Sequence, residues 1–84
     1  MKRLFFQGER KIQAATLLFG QEENFDPENY RKYVELEVVL QDDGRFSVWG
    51  DLEDDADLLR DTKPDWRHVA PQLEQLADQV MEED

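Results

Sequence analysis

Apolar and polar residues alternate most regularly between Tyr33 and Trp49, in the stretch YVELEVVLQDDGRFSVW. Val34, Leu36, Val38 and Leu40 fall on one side of an extended chain, and Tyr33, Glu35, Glu37 and Val39 on the other. That period of two is the mark of a half-buried strand. Asp42-Asp43-Gly44 then supplies turn chemistry, after which Phe46 and Val48 resume the alternation. The pattern predicts a β-hairpin over about residues 32–50.

The loop length decides the register. A two-residue turn at Asp43-Gly44 would set Gln41 against Phe46 and Val39 against Val48, mixing the two faces. A three-residue loop, with Asp42 and Asp43 in a type I turn and Gly44 in a left-handed bulge position, pairs Leu40 with Phe46 and Val38 with Val48. A slip of one residue turns every side chain over, so the second register is expected. Its other face carries Tyr33, Glu35, Glu37, Gln41, Arg45, Ser47 and Trp49, with Glu37 opposite Trp49.

The flanking segments read less evenly. Leu4, Phe5 and Phe6 suggest a short strand over about residues 3–7. Residues 10–19 fit a strand, with Ile12, Ala14, Thr16 and Leu18 on one side. They also fit a helix, with Ile12, Ala15, Leu18 and Phe19 in a stripe and Gly20 as its C-cap. The strand is preferred because a meander into the hairpin needs only short connections. Asp26-Pro27-Glu28 can open a single helical turn, with Phe25 anchored under the loop.

Beyond the hairpin, Asp51 can cap a short acidic helix over about residues 52–61, its apolar side formed by Leu52, Ala56 and Leu59. Trp66, Val69, Leu73, Leu76 and Val80 then follow at helical spacing. Pro71 cannot sit inside that helix without breaking a hydrogen bond, so a short turn at Pro64–Val69 and a main amphipathic helix over about residues 71–82 are expected. The whole is a single small α+β domain over residues 1–84, an antiparallel meander packed against its C-terminal helix.

Charge changes this picture most. The chain carries 21 acidic and 10 basic residues, a net charge of −11. Residues 1–21 hold four basic groups against Glu9 alone, whereas residues 22–84 hold 20 acidic and six basic groups. The density peaks at Asp51-Leu52-Glu53-Asp54-Asp55-Ala56-Asp57. Direct binding to nucleic acid or to an anionic membrane requires the opposite sign, so neither is expected. A basic protein surface is the natural partner, for instance that of a nucleic-acid-binding protein. Solubility in a salty cytoplasm is the competing explanation of the same charge.

Candidate chemistry subtracts more than it adds. With no cysteine there is no disulfide framework and no thiolate metal site. His68 is the only histidine and Ser47 the only serine, the latter in mid-strand rather than on a nucleophile elbow. The glycines at 8, 20, 44 and 50 are isolated, so no phosphate-cradling loop is present. A chain of 84 residues also offers little room for the cleft that paired carboxylates need to hold a sugar. Asp51, Glu53, Asp55 and Asp57 match alternate positions of a calcium-binding loop, but Ala56 stands where glycine is required and Thr62 where a bidentate glutamate is required. No enzyme activity, cofactor or metal is therefore expected.

Two groups of residues are left as candidates for partner binding. One is the acidic run, Asp51, Glu53, Asp54, Asp55, Asp57 and Asp61, whose carboxylates can imitate a phosphate backbone before a lysine–arginine groove. The other is the outward hairpin face, where Tyr33 and Trp49 stand among Glu35 and Glu37 as interface anchors. The expected function is a cytoplasmic, acidic protein-binding module, an inhibitor or accessory factor, with nucleic-acid mimicry of the phage anti-defence or immunity-protein kind as its sharpest form. The alternative is a structural or homo-oligomeric subunit that docks through its C-terminal helix.

Overall fold

The computed structural model describes residues 1–52, 55–62 and 66–82, without the side chains of Asp61, Thr62 and Trp66. In chain order these form β1 (Lys2–Gln7), α1 (Glu9–Phe19), α2 (Glu28–Arg31), β2 (Glu35–Leu40), β3 (Phe46–Leu52), β4 (Asp55–Thr62), α3 (Ala70–Leu76) and β5 (Gln79–Glu82). The fold is α+β. Its strands make one five-stranded sheet in the order β4-β3-β2-β1-β5, antiparallel at every junction.

One face of the sheet and the helices enclose the core. Leu4 and Phe6 of β1, Leu36, Val38 and Leu40 of β2, and Phe46 and Val48 of β3 are buried against Ala14 and Phe19 of α1 and Leu73 of α3. Each fully buried phenylalanine or leucine here contributes about 1.5–3 kcal/mol of transfer free energy. The hairpin at the centre has the expected register, with Leu40 opposite Phe46, Val38 opposite Val48 and Glu37 opposite Trp49. Its loop is closed by Gln41 N–H donating to Arg45 O at 2.8 Å and Gly44 N–H donating to Gln41 O at 3.2 Å. Gly44 takes φ 89°, the left-handed conformation the bulge requires.

Residues 10–19 are helical, not extended. The buried residues Lys11, Ala14, Ala15 and Phe19, with Leu18 packed beside them, repeat at helical spacing. Lys11 belongs to that stripe because its stem is buried while its ammonium hydrogen-bonds the carbonyls of Tyr33 and, at 3.4 Å, Arg31. A strand at this point would have left the inner sheet face uncovered. Gly8, at φ 59°, turns the chain from β1 into the helix.

The segment 52–61 corrects in the opposite sense. Leu52 ends β3, and the described residues from Asp55 onward are a strand, β4, which fills the second edge of β3. Arg60 pairs with Val48 and Leu58 with Trp49, so Leu59 is an extra residue, a β-bulge. The bulge lets Leu59 turn to the core while Leu58 faces the other side. Arg60 fastens the strand down. Its guanidinium lies 4.3 Å over the Phe19 ring and grips both oxygens of Glu22.

The C-terminal helix is shorter than expected. Pro71 does stand in its first turn, and a 3-10 turn at Trp66–His68 precedes it. At Ala77, however, the chain becomes extended, and residues 79–82 pair with β1 as β5. Asp78 fixes that junction. Its N–H donates to Phe5 O at 2.8 Å, and its carboxylate accepts Gln7 N–H at 2.7 Å and pairs with Arg10 at 2.5 Å. Lys2 then bridges Glu74 of α3 and Glu82 of β5, and these carboxylates raise its pKa.

The short turn around Asp26 forms, with the Asp26 carboxylate accepting Glu28 N–H at 3.0 Å at the start of α2. Phe25 packs against the core beneath it, its ring 6.0 Å from that of Tyr30.

Candidate protein-binding surface

Among the described residues, the face of the sheet opposite the core has no helix packed on it. The alternation of each strand determines what it shows. Phe5, Glu37, Trp49 and Leu58 form one row across β1, β2, β3 and β4, and Gln7, Glu35, Asp51 and Ala56 form the row beside it. Leu58 is 50% exposed and Met81, in register with Arg3, is 41% exposed. Phe5 and Trp49 are half-buried and Val39 is covered by its neighbours. An apolar band therefore crosses the sheet in the open.

Polar groups interrupt that band in an unusual way. Glu35 lies directly opposite Asp51, and Glu37 sits one row away. Like charges placed cross-strand are destabilising, so folding gains nothing from this arrangement. Arg3 offsets part of it through a 3.4 Å contact with Glu37, and Gln7 donates to Glu35 at 2.8 Å. Burial pushes the Glu37 carboxyl above its usual range; Arg3 opposes the shift, and Asp51 and Glu35 add to it. Among the described residues no group of three or more acids or histidines has the geometry to hold an ion.

Trp49 is the centre of this face. A hollow of about 360 Å³ lies on its Arg3 and Glu37 side. Another, of about 320 Å³, lies on its Asp43 and Arg45 side. Its indole N–H donates to Ser47 Oγ at 3.2 Å, which fixes the ring and occupies that hydroxyl.

The candidates named from sequence divide as follows. Glu35, Glu37, Asp51 and Trp49 come together on the open face. Asp55 and Asp57 are exposed on β4. Asp61 pairs with Ser47 at the far end of that strand. Glu53 and Asp54 lie outside the described residues. Tyr33 does not belong to the outward face: it is buried in the core, while Val34, expected inside, is 65% exposed. The strand alternation begins only at Glu35, after a bend held by the Lys11 ammonium on Tyr33 O and by Val34 N–H on Asp51 O at 2.8 Å. Sequence reasoning missed Phe5, Leu58 and Met81. Phe5 was legible in principle, since it alternates with the buried Leu4 and Phe6.

The distribution of ion pairs sharpens the electrostatics. Arg10, Arg31 and Arg60 pair with Asp78, with Glu9 and Glu28, and with Glu22, and Lys2 pairs with Glu74 and Glu82. Among the described residues, no ion pair reaches Asp51, Asp55 or Asp57. The β3–β4 ribbon thus carries three carboxylates without an ion-pair partner among the described residues.

Fold and surface together define a small acidic α+β domain with one sheet face uncovered. Comparison with protein-family models, with curated proteins and with solved structures finds no match to this chain. Among the described residues no helix is long and apolar enough to cross a membrane.

Proposed function

We propose that this chain is an acidic protein-binding module, an inhibitor or accessory factor that presents carboxylates to a basic partner surface. The observation that carries this reading is the β3–β4 ribbon, where Asp51, Asp55 and Asp57 have no ion-pair partner among the described residues, Asp51 on the open face beside the apolar band and Asp55 and Asp57 on the helix side of the same ribbon. Residues two apart on a strand lie roughly 7 Å apart on the same side, so Asp55 and Asp57 form a short linear array of negative charge. A lysine–arginine groove that receives a nucleic-acid backbone meets an array of the same sign, which makes mimicry the sharpest form of the proposal. On the open face, beside Asp51, Trp49 and Leu58 supply apolar contact that charge alone would lack.

The test is salt-dependent capture. Immobilised protein should retain basic nucleic-acid-binding proteins at about 50 mM salt and release them by about 500 mM, with duplex DNA competing for the same sites. D54N/D55N/D57N should reduce retention. A partner whose affinity does not change between those salt concentrations, and which DNA does not displace, would overturn the reading.

A second reading, a structural subunit docking through the C-terminal helix, keeps one supporting observation. Ile12 and Leu17 of α1 and Leu76 of α3 line a groove of about 490 Å³. Leu73, which that docking was expected to use, is fully buried in the core. Sedimentation at high concentration separates the two readings, since self-docking gives a dimer and the acidic module a monomer.

A further inference from the structure

Among the described residues β4 is the last strand on its side of the sheet, and it is eight residues long, twice the length of β5 at the opposite edge. In an antiparallel ladder alternate residues of such a strand turn their N–H and C=O groups away from the neighbour, here away from β3. A long free edge ordinarily invites pairing with other chains. Here the charge decides which chains those can be. Two copies joined through β4 would set Asp55 and Asp57 among the same residues of the partner copy, like charge against like charge. A basic segment meets the same residues favourably.

We propose that the free edge of β4 accepts an extended segment of a basic partner, which adds as a sixth strand with basic and apolar residues in alternation. The pattern follows from the register. Asp55 and Asp57 lie opposite Leu52 and Gly50, on the helix side of the sheet. Ala56 and Leu58 lie opposite Asp51 and Trp49, on the open face. A strand docked about 4.8 Å away places its side chains alternately beside these two rows. Lysine or arginine belongs next to Asp55 and Asp57, and an apolar residue next to Ala56 and Leu58, where it prolongs the band that runs through Trp49. The bulge at Leu59 confines the in-register acceptor to Asp55–Leu58, enough to read a motif of about four residues. This inference rests on the β3–β4 ribbon being the partner-binding surface and adds the partner's conformation and pattern.

The test uses the whole chain, labelled with ¹⁵N, and three eight-residue peptides at low ionic strength. One alternates lysine and valine, one has the same composition with the lysines first and the valines after, and one alternates glutamate and valine. The alternating lysine–valine peptide should bind and slow hydrogen exchange at the outward-facing amides of β4. The double substitution D55N/D57N, at exposed sites, should weaken that binding about three- to tenfold, as two solvent-exposed charge pairs would. Equal binding of both lysine peptides with no slowing at β4 would overturn strand addition while leaving the acidic surface standing. Binding of the glutamate peptide as tight as the lysine one, or no binding of the alternating lysine peptide, would also overturn it. Retention of basic proteins in the capture experiment then shows separately whether the acidic surface itself binds.

Discussion

The ring of Tyr33 occupies the space where a side chain of Gly50 would stand: a Cβ placed on Gly50 would meet Tyr33 Cδ1 at 2.7 Å and Leu59 Cδ1 at 2.9 Å. Tyr33 precedes β2 and Leu59 is the bulged residue of β4, so the absence of one methyl group lets both close on β3. G50A should therefore destabilise the fold by about 1–3 kcal/mol, the usual penalty of overpacking a closed site. Urea denaturation with Trp fluorescence measures this. A variant as stable as the parent would show that Tyr33 moves aside freely.

Lys11 offers a second test. It is 8% exposed, and its ammonium serves the carbonyls of Tyr33 and Arg31 where α2 ends and the chain bends into β2. K11M preserves most of the stem but leaves those carbonyls without their donor. A loss of about 1–3 kcal/mol is expected, the range for unsatisfied buried polar groups. Thermal unfolding that matches the parent would mean that water replaces the ammonium there.

The half-buried carboxylate of Glu37 on the open face predicts a pH effect with a definite sign. Burial raises the Glu37 pKa above its ordinary 4.5, so in the window just above that value the folded state holds the proton more tightly than the unfolded one. Stability from this group therefore falls as pH rises through the window. Removing the titration by E37Q should let the variant gain on the parent between mildly acidic and neutral pH. Parallel urea titrations at the two pH values measure the difference. A parent that gains on the variant over the same interval would reverse the assignment.

Asp78 is expected to hold the C-terminal strand. D78A removes the acceptor of Gln7 N–H and the partner of Arg10. A loss of about 1–2 kcal/mol is expected, in the range of a hydrogen bond to a charged group. Amide exchange should rise in Gln79–Glu82 first, ahead of β2 and β3. Uniform acceleration across the sheet would instead show that β5 is not a separately loosened element.

The hairpin was legible because period-two alternation and Asp42-Asp43-Gly44 agree on one register. The reading failed at its start, where alternation extended back to Tyr33 and Val34 runs through a bend that a distant lysine holds. The reading of residues 52–61 as a helix has a physical cause in the bulge. Because Leu59 is inserted, Ala56 and Leu58 face one side and Leu59 the other, and the broken alternation resembles helical spacing. Likewise Val80 continues the spacing of Val69, Leu73 and Leu76, though it pairs with Leu4 as a strand residue. Of the candidate surface, Trp49, Glu35 and Glu37 were placed by the pattern alone. Phe5 and Met81 joined them only once β1 was set between β2 and β5.

The position of β1 has a kinetic consequence. Its partner on one side is β2, but on the other it is β5, with Lys2 aligned to Glu82. That contact closes a loop of nearly the whole chain, the most entropically demanding kind to form. Assembly should therefore proceed from the β2–β3 hairpin outward and finish at β5. Until that last step, Leu-Phe-Phe of β1 borders an unfilled edge of the sheet, so a truncation that removes β5 should leave that edge open to pairing with other chains, measured as concentration-dependent aggregation.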